Sequence, residues 1–134
     1  MAVKSEQLVN DSEAARSRPI ELITENGFSI VRGSDFYGDG ATGAREGSFL
    51  VRDPHGYELE ITVEIDPQVV EEIGSRSEGR ISPESSYWIS CAERHLADYL
   101  WEEDDYPPAA MLKVDQLSPD DLDLARRWKI DVNF

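Results

Sequence analysis

Cysteine is nearly absent: the chain carries only Cys91, so no disulfide can form within it. Lysine is limited to Lys4, Lys113 and Lys129, and histidine to His55 and His95. Long apolar runs are missing as well. Nothing approaches the roughly 20 apolar residues needed to cross a bilayer. Residues 1–18 lack the apolar stretch of a secretory signal. These absences lead to the expectation of a soluble, cytoplasmic protein with no membrane association. Positive charge is deficient too. There are 13 basic residues against 28 acidic ones, for a net charge of −15. Such a surface repels phosphate backbones and anionic lipid heads, which argues against direct binding of nucleic acid. The arginines are scattered, and only Arg126, Arg127 and Lys129 come close together. The imbalance favours solubility, a basic partner or cations. A saline cytoplasm or a GC-rich genome would produce the same imbalance.

What is present fits one domain. The chain has 134 residues, of which 40% are hydrophobic and 31% charged. A domain of that size and composition can build a core beneath a well-solvated surface. Residues 1–18 read as a flexible arm, and residues 19–134 as a single α+β domain. The core pattern begins after Pro19. Residues 20–24 are rich in strand formers, and Asn26-Gly27 supplies a strong hairpin signal. Phe28, Ile30 and Arg32 then share one face of a second strand. Residues 33–47 read as a glycine-rich loop and 48–52 as a short strand. Asp53-Pro54-His55-Gly56 is a turn sequence. Residues 57–65 alternate strictly. Tyr57, Leu59, Ile61, Val63 and Ile65 are expected on the buried face, with Glu58, Glu60, Thr62 and Glu64 on the wet one.

The second half reads as mainly helical. Asp66-Pro67, Ser82-Pro83 and Ser118-Pro119 each pair an N-cap side chain with proline at the first helical position. They predict a short helix from Pro67 to Gly74, a main helix over 83–103 and a third helix over 119–127. Asp121 lies three residues after Ser118, close to a capping box. Pro107-Pro108 blocks continuation of the main helix. Residues 111–114 are a candidate strand, and the alternation of Trp128, Ile130, Val132 and Phe134 predicts another. The expected architecture is an antiparallel β-meander of about four strands packed on one long helix. Two short helices and a short C-terminal strand complete it.

Four constellations bear on function. Gly38-Asp39-Gly40-Ala41-Thr42-Gly43 matches G-x-G-x-x-G, but a dinucleotide site needs a helix after that run, and here a strand follows. Asp35, Asp39, Gly40 and Glu46 imitate part of a calcium loop, with Tyr37 where a carboxylate is needed. Both read as loop features, and no cofactor is expected. On the main helix, Cys91, His95, Asp98 and Glu102 fall on one border of the apolar stripe. They could ligate a metal, or His95 could activate Cys91 with Asp98 orienting it. The ligand set is incomplete, and a mid-helix cysteine is more simply a buried small residue. The same helix ends in Trp101, Glu102, Glu103, Asp104, Asp105 and Tyr106. Trp101 lies off the apolar stripe beside four consecutive acids, a composition suited to a basic protein partner.

The Glu58, Glu60 and Glu64 row could extend that surface, although such rows also keep sheets soluble. A small-ligand pocket lined by Tyr57, Trp88 and Tyr99 is a further candidate. No complete catalytic set is present, so the favoured reading is a non-catalytic interaction module rather than an enzyme. Homo-oligomerisation is compatible with the sequence.

Overall fold

Alternation over residues 58–65 organises the sheet. The structure is a computed structural model that describes residues 21–33, the backbone of 37–38, and residues 45–128. The expected N-terminal arm, most of the glycine-rich loop and the expected strand beyond Trp128 lie outside the described residues. The strands are β1 (Glu21–Ile23), β2 (Ser29–Arg32), β3 (Tyr37–Gly38), β4 (Arg45–Arg52), β5 (Glu58–Ile65) and β6 (Met111–Val114). The helices are α1 (Pro67–Arg76), α2 (Tyr87–Glu103) and α3 (Pro119–Arg127). The sheet order is β1-β2-β4-β5-β6, with β3 paired to β4. The first pairings are antiparallel and form the expected meander, whereas β6 runs parallel to β5. A parallel neighbour needs a long crossover, and here α1 and α2 supply it.

One face of this sheet is dry. Ile30, Phe49, Val51, Ile61 and Val63 are fully enclosed, and Trp88, Ala92, Leu96 and Leu100 of α2 close over them. The buried half of the alternation is confined to the end of β5. Ile61, Val63 and Ile65 are buried, but Tyr57 is 75% exposed and Leu59 39%. The sequence expectation that all five share the core is corrected in that respect: at this end of the sheet the cover stops at β4, where Val51 is enclosed while Leu59 opposite it is exposed. Arg32 occupies the inner face, as its period requires, and is matched there by Glu93 of α2 at 2.9 Å.

Local signals account for most boundaries. Asp66 accepts from the Gln68 amide at 2.9 Å and starts α1. α1 runs two residues past Gly74, and its end is closed by the Gly79 amide bonding back to the Gly74 carbonyl at 2.8 Å. Ser118 and Asp121 form a complete capping box on α3. The Ser82-Pro83 signal does not begin α2, which starts at Tyr87 with Ser86 as its cap. The Ser82 carbonyl instead accepts from the Trp88 indole at 3.0 Å and the Ser85 amide at 3.1 Å, which holds this stretch as a turn. β4 is longer than residues 48–52 suggested, because pairing with β5 extends from Arg52 back to Arg45. Long pairing of this kind holds glycine in a strand that its low propensity would leave as loop.

Candidate functional site

Two of the predicted constellations fall in described structure, at different places along α2. The first surrounds Cys91. Its thiol lies 3.4 Å from Asp121 Oδ1, and His95 Nε2 lies 2.6 Å from Asp121 Oδ2. Arg94 donates to Oδ1 at 2.6 Å, and the Ser118 amide donates to Oδ2 at 2.9 Å. Tyr87 adds a bond from its hydroxyl to the Asp121 carbonyl at 2.9 Å. The acid that joins Cys91 and His95 is therefore Asp121 of α3, whereas Asp98 and Glu102 stand exposed. All four border residues do share a face of α2, but α3 covers only the first half of that border. Asp98 and Glu102 lie beyond its reach.

The chemistry of this cluster is that of an internal clamp. Cys91 and Asp121 are fully enclosed. Burial, reinforced by the Asp121 carboxylate, pushes the Cys91 thiol well above its ordinary value, so it stays protonated at neutral pH. Burial also pushes the Tyr87 hydroxyl up. For Asp121, burial acts to raise the value, but bonds from His95, Ser118 and Arg94 outweigh it and hold the carboxyl well below the usual aspartate range. Both oxygens of Asp121 already have donors. A metal ion at Cys91, His95 and Asp121 would have to displace those donors and deprotonate an enclosed thiol. Free nucleophilic cysteines sit in exposed, electropositive surroundings, unlike this one.

The second constellation is the far end of α2. Asp104 takes the left-handed conformation (φ 56°) and closes the helix, its amide bonding to the Leu100 carbonyl at 3.0 Å. Asn26, from the β1–β2 turn, donates its Nδ2 to the same carbonyl and to Asp104 Oδ1, each at 3.0 Å. Gly27 of that turn is held against Pro54 of the β4–β5 turn: an added Cβ would lie 3.1 Å from the Pro54 ring. In the β4–β5 turn, Asp53 Oδ1 accepts from the His55 and Tyr57 amides, each at 2.9 Å. Tyr106 then stitches the ends together. Its hydroxyl donates to the Tyr57 carbonyl at 2.6 Å, and its ring meets Phe28 edge-on at 6.0 Å. Partial burial, with the Asp53 charge beside it, pushes the Tyr106 hydroxyl up.

Three segments distant in sequence thus meet at one pole. Glu25, Glu58, Glu102, Glu103, Asp104 and Asp105 are exposed there, with Asp53 half-buried in its turn. Trp101 (51% exposed) and Tyr57 (75% exposed) stand among them. The counter-charge at this pole is Arg52, paired with Glu58 at 2.8 Å, beside His55. The predicted run 101–106 is therefore split in role: Tyr106 and Asp104 fasten the pole, and Trp101, Glu102, Glu103 and Asp105 face solvent. Sequence reading missed the contribution of the two turns. The Asn26-Gly27 and Asp53–Gly56 signals located them as turns, but nothing local says that both lie against the end of α2.

The remaining candidates disperse. Glu60 and Glu64 lie on the outer face of the sheet, opposite Leu50 and Glu46 respectively. Trp88 is enclosed in the core while Tyr57 stands in solvent, so the suggested Tyr57–Trp88–Tyr99 pocket does not unite its members. Of the G-x-G-x-x-G run only the Gly38 backbone is described; it pairs with Arg45 in the sheet. Of the calcium-like positions, Glu46 lies in β4, and Asp35, Asp39 and Gly40 fall outside the described residues. No helix among the described residues is long and apolar enough to cross a membrane. No protein-family model, curated protein or solved structure matches this chain.

Proposed function

We propose that this protein is a non-catalytic interaction module of the cytoplasm whose acidic pole docks an arginine- or lysine-rich segment of a protein partner. The observation that carries the reading is that the β1–β2 turn, the β4–β5 turn and the end of α2 are fastened together at one pole, with exposed carboxylates on all three, Trp101 exposed near the helix end and Tyr57 exposed beside the second turn. Aromatic anchors give a partner contact area, and guanidinium or ammonium groups pack favourably on aromatic faces. The surrounding carboxylates steer a basic segment to the site and select against acidic competitors. The supporting framework is fixed by Asn26 and Tyr106, so little ordering is required of this side on binding.

The rival reading places metal or cysteine chemistry at Cys91 and His95. The enclosed, protonated thiol and the fully occupied Asp121 support an architectural role for that cluster instead. The test compares partner binding by three proteins: the native chain, Trp101→Ala, and a variant with Glu102→Gln, Glu103→Gln and Asp105→Asn. Asp104 is left intact because it closes the helix. Removing the anchor should cost roughly 2 kcal/mol of binding. Neutralisation should weaken binding and flatten its salt dependence. Partners held equally by all three proteins would refute the reading.

A further inference from the structure

Arginines gather around a cleft near the other end of α2. Tyr87, at the start of α2, meets Trp128 edge-on at 5.6 Å, and α3, which ends just before Trp128, forms a cleft with the end of α1 and the residues that follow it. This cleft has a volume of about 200 Å³ and is lined by Arg76, Ser77, Arg80, Leu122, Ala125 and Arg126. α2 separates it from the acidic pole by about 25 Å, at 1.5 Å per residue. In a chain with 13 basic residues and a net charge of −15, arginines collected around one concavity stand apart from the rest of the described surface.

Their hydrogen bonds leave capacity for a ligand. Arg76 directs Nε to Glu72 at 3.0 Å, and Arg126 directs one Nη to Asp123 at 2.7 Å. A guanidinium has five N–H donors, so each keeps most of them. Arg127 also reaches Asp123, at 3.0 Å, so the guanidiniums outnumber the carboxylates that meet them. Arg80 bonds the carbonyls of Ala125 and Trp128, which neutralises the negative end of α3 inside the cleft. Leu122 and Ala125 provide an apolar floor.

We propose that this cleft binds the phosphoryl group of a small phosphorylated molecule, with the apolar body of the ligand resting on Leu122 and Ala125. Planar guanidiniums match the oxygens of a phosphate in a way that a single ammonium does not. The volume is below the usual range of about 300–1,000 Å³ for ligand pockets, so the site takes a compact ligand or only the phosphoryl end of a larger one. This site is separate from the protein-docking pole and does not depend on it.

The experiment is a proton–nitrogen NMR titration of the full chain with phenyl phosphate in a phosphate-free buffer. Saturable shifts are expected at residues 76–80 and 122–128. The double variant Arg76→Gln, Arg126→Gln should bind at least tenfold more weakly. Both side chains are exposed, so its spectrum should otherwise match the native one; Arg126→Gln alone, losing at least threefold, serves if it does not. A Glu102→Gln, Glu103→Gln variant at the opposite pole should bind as the native chain does. Absence of saturable shifts at the cleft, or affinity unchanged in the arginine variants, would overturn the proposal.

Discussion

The Asp121 carboxylate ties α3 to α2 and takes part in four hydrogen bonds, three of them with α2 residues. It caps α3 through the Ser118 box and accepts from Cys91, Arg94 and His95 of α2. Asp121→Asn keeps the shape but leaves Arg94 and His95 without their anion. Arg94 is partly solvated, at 27% exposure, which limits the loss. The expected destabilisation is on the order of 2–3 kcal/mol in chemical denaturation. Its pH signature is specific. A carboxyl held below its unfolded value contributes stability that is fully present above about pH 3.9 and is lost as pH falls through the lower folded value. The gap between native and Asp121→Asn stability should therefore narrow as the pH drops below about 4. A gap that stayed constant from neutral pH to acid would show that Asp121 is not the titrating group. Sequence reading placed Asp121 in a cap and Cys91 and His95 on a helix border, each correctly. It could not join them, because the join depends on how α3 crosses α2, and no spacing within either helix encodes that crossing.

At the scale of elements, three similar start signals behave differently. Asp66-Pro67 and Ser118-Pro119 begin helices, and Ser82-Pro83 begins a turn. Ser118→Ala should cost about 1 kcal/mol, the usual worth of an N-cap. Ser82→Ala should be nearly silent, since Ser82 is exposed and its carbonyl, not its hydroxyl, takes the recorded bonds. Thermal unfolding of the two variants checks this, and equal losses would contradict the assignment of α2 to Tyr87–Glu103. The meander was legible because alternation and turn chemistry are local properties, clear in β5 and at Asp53–Gly56. The parallel seat of β6 beside β5 was not legible, because Met111–Val114 carries no mark of which strand it joins. Likewise, the expected five-residue buried face of 57–65 failed at Tyr57 and Leu59, where the alternation continues but the cover stops at the neighbouring strand, on Val51.

Over the whole molecule, charge is arranged as well as abundant. Acids gather with Trp101 and Tyr57 at one pole, and Arg76, Arg80 and Arg126 line a cleft at the other end of α2. The acidic half was partly readable, since residues 101–105 are contiguous. Its contributions from Glu25, Asp53 and Glu58 came only with the fold, as did the gathering of Arg76 and Arg80 with Arg126. Docking at the acidic pole should be fast and should slow as salt screens the attraction, over a Debye length of about 8 Å at physiological ionic strength. Stopped-flow association rates at increasing salt should fall for the native chain and change less for the Glu102→Gln, Glu103→Gln, Asp105→Asn variant. The most direct test of the docking assignment is an NMR titration of the full chain with a peptide of alternating arginine and glycine. Shifts should concentrate at Glu25–Gly27, at 53–58 and at 99–106, together with the Trp101 indole. Shifts spread evenly over the acidic surface, or absent from that pole, would contradict it.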